Sequence, residues 1–494
     1  MAFKASSAEA AKLLQEIEGT ERRLKQALKT SQPDEREVKA LRTGLMGSYE
    51  RMLVLDYELA SKNQVEQNLW KIVFYKRIEE FRKRHGKTSA LLDDPDKKER
   101  AKQALSQITA AFARFLDKSS RFYMSLLRKL LVACNVSLAG YTDHGEDDEG
   151  PSFVRCDESS PKHRERKKAM LMSSERCLIF LGDLERYRSL YMEKELERDW
   201  SAAERHYRTA ALLTPHVGNP HNQLAVLATY CGDDLEGMFH YARAALVPQP
   251  FATARENLAL LLDKNRQKLE AIVAAKPSVP PRIALEEKGR RRREELGVRF
   301  VRVHGMLQTH SPRDLEQFAA EEGAMLVQLV ATLDADDLPH EAVLWMAVVC
   351  LFSAADLATR AAQLSHIASP AGPPHPVLLA QQFAVGVALK VLSRLAVSAR
   401  GRPGHLQAVG VLCAWLHFSP HTLSSPPDAD GSGQLRRELQ TAAGALVDLL
   451  NLQKEREERA GGASAWGVDE VLPEDKELAG FEPLAEALGG MEGA

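Results

Sequence analysis

Three observations predict that this chain folds as an all-α protein. Two helix-turn-helix units follow one another between Trp200 and about Arg266, in which Tyr207 and Tyr241 occupy matching places 34 residues apart. Apolar residues then recur at helical spacing from about Leu296 to Leu452. No strand-rich segment stands out in the sequence. We therefore expect helices that pack on helices.

The first 272 residues are expected to form one body. The chain begins with an amphipathic segment, MAFKASSAEAAKLLQEIEGT, whose acidic residues distinguish it from signal and transit peptides. The 34-residue period is that of tetratricopeptide (TPR) repeats, and two repeats are too few for a free-standing array. They must therefore stack on the helices before them. Residues 140–168 are polar, lack apolar periodicity and are expected to be a flexible insertion in this body.

A second domain and a tail should follow. The proline-rich residues 274–282 predict a hinge, and residues 283–455 are predicted to form a domain of antiparallel helical hairpins. Within it, the apolar run Ala342–Ala355 is too short to span a bilayer and is expected to be a buried helix. Residues 456–494 form an acidic tail that is expected to be flexible. This tail is either a short partner-binding motif or a frayed terminus.

The composition favours an interaction protein. The formal net charge of −2 gives no basic field of the kind that attracts nucleic acid. The six cysteines have no CxxC spacing and are expected to be reduced thiols of an intracellular protein. Four consecutive arginines, Arg290–Arg293, would suit nuclear localisation or an RNA-phosphate patch, but the flanking glutamates favour a solvated helix face.

Nothing in the sequence indicates catalysis. The chain has no Gly-rich phosphate loop and no HExxH or GxSxG motif, and its 15 histidines have no metal-ligand spacing. We therefore predict a protein without enzymatic activity, cofactor, metal or membrane association.

The run CLIFLGDLERYR, residues 177–188, contains the most informative candidate for a binding site. At helical spacing, Arg186 leaves a face that is partly apolar and locally small, since Gly182 lies one turn before it. A guanidinium can hold a phosphate through two hydrogen bonds, and the hydroxyl of Tyr187 can add another. The alternative is an ordinary surface pair between Arg186 and Asp183.

Several segments resemble one protein family. In order they are VEQNLWKIVFYKRIEEFRKR, FLDKSSRFYMSLL, LGDLERYR, GNPHNQLAVLATYCGDD and PFATARENLALLL. The chain thereby resembles the SMG/ever-shorter-telomeres family, the 14-3-3-like adaptors of nonsense-mediated mRNA decay, and within it the branch of the seventh SMG member. The resemblance covers about residues 10–270 and continues more weakly through Leu296–Phe318. It implies a 14-3-3-like helical array with TPR-type helix pairs, followed by a helical-hairpin domain.

The resemblance also implies a phosphoserine pocket formed by a lysine of an early helix and the arginine of LGDxxRYR. Arg186 matches that arginine. The lysine should follow a tryptophan, here Trp70, by a few residues, which leaves Lys71, Lys76 and Arg77 as candidates.

An apolar stripe favours Lys76 among these three. Lys76 lies at helical spacing from Leu69, Ile72 and Val73, whereas Lys71 has no such stripe. The alternative is that Lys76 only extends past the stripe to solvent.

Recognition of the peptide backbone beside a phosphate would need an amide side chain. Asn222 is the candidate for this role and Gln223 is a less certain one, both at the start of a repeat helix. Such residues more often form caps or interhelix hydrogen bonds.

The family's function follows as an expectation. The resemblance implies an adaptor that binds the phosphorylated RNA helicase of nonsense-mediated decay, together with a second SMG-type adaptor and decay or phosphatase factors. It further implies a cytoplasmic protein that can shuttle to the nucleus. The alternatives are a telomere-associated or cell-division factor that binds nucleic acid, and a helical scaffold whose phosphate pocket is degenerate.

Overall fold

The computed structural model describes residues 2–30, 36–138, 140–141, 160–274, 285–364, 375–418 and 434–459. Within these ranges every regular element is helical, apart from one isolated bridge between Val217 and Gln249. The predicted all-α fold class is confirmed. The centre of the predicted insertion, most of the proline-rich stretch and the tail beyond Arg459 lie outside the described residues.

Residues Met1–Thr214 form the first of two compact units. Its helices are α1 (Ala2–Thr30), α2 (Arg36–Leu55), α3 (Tyr57–Lys62), α4 (Val65–Asn68), α5 (Lys76–Ser89), α6 (Lys98–Cys134), α7 (Pro161–Met192) and α8 (Ser201–Leu213). A π-helical segment, Leu69–Tyr75, joins α4 to α5.

Local signals set the ends of the two longest consecutive helices of this unit. The side chain of Ser160 accepts a hydrogen bond from the backbone N–H of His163 (3.3 Å), and Pro161 occupies the first turn of α7. The helix before it, α6, ends at Cys134 and is followed by Asn135, which adopts the left-handed conformation (φ 54°) common after helix C-termini. The two helices pack against each other along much of their length.

An aromatic cluster joins the π-helical segment to α6 and α7. Trp70 stacks on Phe180 of α7 with 4.3 Å between ring centroids. Tyr123 of α6, which is fully buried, packs edge-on against Trp70 at 5.7 Å. Each such pair contributes about 0.5–1.5 kcal/mol beyond the burial of its apolar area. The cluster thereby fixes the start of α5 against α7, the two helices that carry most of the predicted site.

The second unit begins at Pro215. Its helices are α9 (Asn219–Cys231), α10 (Asp234–Ala245), α11 (Ala254–Ala274), α12 (Leu285–Thr309), α13 (Pro312–Asp334), α14 (His340–Leu364), α15 (Pro376–Ala399), α16 (Leu406–Phe418) and α17 (Gln434–Arg459). The chain turns between α9 and α10 at Gly232, whose φ of 74° suits a residue without a side chain. Asp233 then caps α10 through the backbone N–H of Glu236.

Two helices of the second unit, α14 and α15, are long and apolar enough to cross a membrane by length and composition alone. The most apolar window of α14 is 78% buried within the structure, and that of α15 is 56% buried. Val349 and Phe352 of α14 have no exposed surface. The apolar run Ala342–Ala355 is therefore a buried helix, as predicted.

The compact units divide at Thr214, upstream of the predicted hinge. The division does not fall at the predicted hinge because helices on both sides of the hinge share one hydrophobic core. Phe239 of α10 stacks on Trp345 of α14 at 6.0 Å between centroids, and Leu258 of α11 belongs to the same cluster as Phe300 of α12. The predicted domains, residues 1–272 and 283–455, were defined as fragments that fold independently. Whether they do so stays a prediction.

The four arginines of α12 make contacts within the second unit. Arg290 and Arg291 pair with Glu287 at 2.8 and 2.9 Å. Arg292 donates to the carboxylate of Asp337 (2.6 Å), and Arg293 donates to its backbone carbonyl (3.2 Å). The arginines therefore form a solvated, ion-paired helix face, which is the interpretation that the flanking glutamates favoured.

Candidate functional site

The crossing of α7 and α8 places Arg186. Gly182 lets the two helices approach, because a Cβ atom at this position would lie 2.7 Å from Cδ1 of Tyr207. The buried ring of Tyr207 therefore reaches across α7, and its hydroxyl lies one turn further on, beside Arg186. This confirms that the face from which Arg186 emerges is locally small.

Three polar groups hold the Arg186 guanidinium. Its Nη2 donates to Oδ1 of Asp183 (2.6 Å), and its Nε donates to the hydroxyl of Tyr207 (3.3 Å). That hydroxyl in turn donates to Oδ1 of Asp183 (2.7 Å). The pair with Asp183, considered above as the alternative to a binding site, is thus present. It is not an ordinary surface pair, because the side chains are only 12% and 14% exposed.

The environment keeps Arg186 charged. Burial alone would lower the pKa of the guanidinium, but the Asp183 carboxylate and the neighbouring tyrosines raise it, and the pKa lies well above the ordinary value. An arginine has five N–H donors, of which Asp183 and Tyr207 take one each. The remaining donors have no acceptor among the described residues and can serve an incoming anion.

Tyr187 lies between two arginines. Its ring centroid is 5.0 Å from the guanidinium carbon of Arg186 and 5.6 Å from that of Arg82 in α5. Burial raises the pKa of the phenol to about 12, so the hydroxyl stays protonated at neutral pH. No described residue is hydrogen-bonded to that hydroxyl, which leaves a donor beside the two guanidinium groups.

The structure does not contain the regular apolar stripe on which the preference for Lys76 was based. Residues 69–75 form π-helical turns, in which the backbone N–H of Lys76 donates to the carbonyl of Lys71, five residues before it. A spacing of 3.6 residues per turn therefore does not hold between Leu69 and Lys76. Both lysines are exposed, and neither has an ion-pair partner in the described part of the chain. Which of the two contacts a phosphate stays a prediction.

The third candidate, Arg77, faces other residues. It is 6% exposed, pairs with Glu80 at 2.9 Å and lies 4.2 Å over the ring of Phe81. Glu80 and Phe81 both lie apart from the groups around Tyr187.

Sequence reasoning missed Arg82. Its Nε donates to the hydroxyl of Tyr191 (3.2 Å), and Arg82 and Tyr75 both influence the pKa of Tyr187. Tyr75, the last residue of the π-helical segment, and Arg82 of α5 are seven residues apart and so lie on one face of this continuous helical stretch. This spacing could have predicted that Tyr75 and Arg82 share a face. It could not have predicted that this face packs against α7.

Asn222 and Gln223 belong to the second unit, so their position relative to Arg186 is not described. Asn222 is 4% exposed, and its Oδ1 accepts a hydrogen bond from Asn257 of α11 (2.9 Å). Gln223 Nε2 donates to Oδ1 of Asn219 one turn earlier (3.4 Å). These contacts fit the interhelix and local roles that were the alternative, while a peptide-binding role stays a prediction.

Among the described residues, no group of three or more His, Cys, Asp or Glu side chains could hold a metal ion. The side chains around Arg186 can offer hydrogen-bond donors and positive charge to an anion.

Two family models match the chain. The Est1 DNA/RNA binding domain matches residues 203–488, and telomerase activating protein Est1 matches residues 64–192. Nonsense-mediated mRNA decay factor SMG7 of Arabidopsis thaliana is 33% identical over 252 residues, which are 50% of this chain and 23% of that protein. Telomerase-binding protein EST1A of Danio rerio is 31% identical over 232 residues, which are 47% of this chain and 13% of that protein. The matches thus span less than a quarter of either relative.

One solved structure shares the fold. It is described as the crystal structure of Est1 and Cdc13, and it aligns with a TM-score of 0.64 over 96% of this chain and 85% of that chain. The sequence identity of 13% limits this likeness to the fold. The predicted helical architecture agrees with it.

Proposed function

The chain belongs to the Est1 family, and from this premise we propose that it is a phosphoserine- or phosphothreonine-dependent adaptor in nonsense-mediated mRNA decay. One observation carries the proposal. Arg186 is nearly buried and charged, keeps unused N–H donors, and lies beside a Tyr187 hydroxyl without a partner among the described residues. A phosphate group supplies the acceptors that these donors lack.

The binding step follows from the chemistry of these side chains. The Asp183–Tyr207 pair orients the guanidinium before a ligand arrives, so little side-chain freedom is lost on binding. Hydrogen bonds to a charged phosphate contribute about 1.5–3 kcal/mol each, less the cost of desolvating the site. Arg82 of α5 and an exposed lysine, Lys76 or Lys71, add positive charge. Binding should therefore depend steeply on phosphorylation.

The partners belong to the same proposal. The phosphorylated RNA helicase of nonsense-mediated decay is the proposed ligand, and a second SMG-type adaptor with decay or phosphatase factors completes the assembly. The chain acts by binding, without catalysis, in the cytoplasm and with shuttling to the nucleus. The name of one relative, nonsense-mediated mRNA decay factor SMG7, supports the role in decay.

A nucleic-acid function is the second candidate, because the model that matches residues 203–488 is described as a DNA/RNA binding domain. The ionic-strength dependence of binding separates the two. An RNA or DNA complex weakens steeply with salt, since each neutralised phosphate releases counter-ions, whereas a single phosphopeptide contact releases few.

A titration tests the proposal. Phosphoserine peptides from the helicase and their unphosphorylated counterparts are added to the full chain, and binding is followed by calorimetry. We expect binding of a phosphopeptide and at least tenfold weaker binding of its counterpart. Equal affinity for both forms, or binding of neither, would favour the scaffold with a degenerate pocket.

A further inference from the structure

A second group of cations surrounds a cavity in the first unit, and it shares no lining residue with the site around Arg186. The cavity measures about 350 Å³ and lies between α2, the π-helical segment with α5, and α6. Its cations are Lys39, Arg42, Arg77, Arg114 and Lys118. None of the described residues that line it is acidic.

The inner wall of the cavity is apolar and fixed in place. Phe74 and Phe81 are each 2% exposed, and Phe115 lies beside them. Phe81 stacks on Phe112 at 4.8 Å between centroids, while the Arg77 guanidinium lies 4.2 Å from the Phe81 ring. Glu80 in turn pairs with Arg77, and it pairs with the buried Arg42 of α2 as well. The shape of the wall thus exists before any ligand arrives.

The rim of the cavity carries two cations of α6 without a described counter-ion. Arg114 and Lys118 are exposed, lie one turn apart on α6, and pair with no described residue. Like charges at this spacing repel each other and destabilise a helix slightly. Arg121, one turn beyond, is exposed and equally without a described partner, so the row extends past the cavity. Lys39 of α2, also exposed, lines the same cavity.

We propose that this cleft binds an acidic peptide segment of a partner protein. One apolar side chain of the segment fills the cavity, and its carboxylates lie against Lys39, Arg114 and Lys118. Charge complementarity selects an acidic ligand. A peptide fits better than single-stranded nucleic acid, because a row of bases needs several open rings to stack on, whereas Phe74 and Phe81 are buried and only Phe115 of the wall is partly exposed. The volume is at the lower end of the range for ligand pockets, roughly 300–1,000 Å³, which suits one large side chain.

The test uses the full chain and a fluorescein-labelled 12-residue peptide of Asp and Glu with one central Phe. A second peptide has Ser in place of Phe. The variant R114E/K118E reverses the rim charges. Its control, K98E/R100E, makes the same charge change on the same helix at two exposed cations outside the cavity, which also have no described partner.

Fluorescence anisotropy should show binding of the Phe peptide, a loss of about tenfold or more in R114E/K118E, and near-normal binding in K98E/R100E. The Ser peptide should bind more weakly than the Phe peptide. The proposal is overturned if the wild type binds neither peptide, if both variants lose binding equally, or if Ser and Phe peptides bind alike. Tighter binding of a poly-U oligonucleotide, abolished by R114E/K118E, would assign the rim to nucleic acid instead.

Discussion

The ring of Tyr207 packs against the backbone of Gly182, and this contact leaves no room for a side chain where α7 crosses α8. The same tyrosine donates its hydroxyl hydrogen to Asp183 and accepts a hydrogen bond from Arg186. Tyr207 therefore determines both how closely α7 and α8 approach and how the guanidinium of Arg186, the candidate phosphate-binding group, is oriented.

Replacing Gly182 with alanine should destabilise the first unit. The new methyl group would lie within 3 Å of the Tyr207 ring, and overpacking of this kind costs about 1–3 kcal/mol. Urea unfolding, compared with the wild type, measures the change. Gly44→Ala is the matched control, because Gly44 is also in a helix but has open space around it. There the substitution should be neutral or stabilise by up to about 1 kcal/mol. Equal effects at the two positions would contradict the steric argument.

Replacing Arg186 with lysine should weaken phosphopeptide binding by about tenfold or more. Lysine keeps the charge but loses the planar fork that can contact Asp183, Tyr207 and a phosphate together. Calorimetry with the phosphopeptide measures the loss. Arg188→Lys on the same helix is the control, since Arg188 pairs with Asp117 and Glu185 instead.

Charge reversal at the same position is a less informative experiment. In Arg186→Glu, a second carboxylate would lie beside Asp183 in a site that is about nine-tenths buried, and the fold itself should lose stability. Wild-type affinity in a folded Arg186→Lys protein would mean that Arg186 serves only to join α7 to α8.

The two lysines before and within α5 can be compared directly. Lys76→Ala should reduce phosphopeptide affinity more than Lys71→Ala, because Lys76 directly follows Tyr75, which is close enough to Tyr187 to influence its pKa. Both residues are exposed and without an ion-pair partner among the described residues, so neither change should alter the stability of the fold by more than about 0.5 kcal/mol. A larger loss at Lys71 would assign the pocket lysine to that position. A loss at Arg82→Ala alone would assign the second cation to Arg82.

A buried carboxylate should make the stability of the first unit depend on pH. Glu175 is 2% exposed, and one of its oxygens has no hydrogen-bond partner. Burial raises the pKa of Glu175 to about 7, an effect that Arg176 opposes and Glu66 increases. Because the folded pKa is above the ordinary value of 4.5, this group stabilises the fold most below that pH. Its contribution declines as the pH rises to about 7.

Glu175→Gln should remove this slope and stabilise the protein at pH 8 by roughly 3 kcal/mol at most, with little effect at pH 4.5. Urea midpoints at the two pH values measure it. Glu66→Gln is the contrasting variant, since Glu66 accepts hydrogen bonds from Ser173 and Arg176 at 2.7 Å. It should destabilise the protein at pH 8 by about 1.5–3 kcal/mol. A parallel pH dependence of wild type and Glu175→Gln would refute the assignment.

Fragments can test where the chain divides. A fragment of residues 1–214 should be more soluble than one of residues 1–272. In the longer fragment Phe239 loses its contact with Trp345, and Leu258 loses the core that contains Phe300. Circular dichroism and gel filtration of both fragments are the measurements. A longer fragment that unfolds cooperatively and stays monomeric would support the boundary predicted from the proline-rich stretch.

The sequence predicts those features that depend on residues near each other in the chain. Helical periodicity predicts the helices, the 34-residue period predicts the four helices α8 to α11, and the four-residue spacing of Gly182 and Arg186 predicts the small face of α7. Contacts between distant segments escape such reasoning. Arg82 and Tyr191 are 109 residues apart, and only the packing of α5 on α7 brings them together.

The π-helical segment shows a different limit. The apolar run LWKIVFY would also suit an α-helix, and the sequence pattern alone does not choose between the two. Packing between distant residues adds a constraint that the local pattern does not contain. Trp70 stacks on Phe180 at one end of the segment, and Phe81 stacks on Phe112 beyond the other end. The stripe through Lys76 assumed one helical period across this segment, and that assumption was wrong.

A turn closed by a hydrogen bond between residues five apart holds one residue more than a turn of α-helix. A homologue that lacks one residue between Trp70 and Lys76 could therefore form an α-helical turn where this chain forms the wider π-helical turn. Deleting Ile72 would turn α5 by about 100° relative to Trp70, or force the aromatic cluster to yield. Insertions and deletions at this place would thus rotate the candidate binding face of α5 without changing any residue in it.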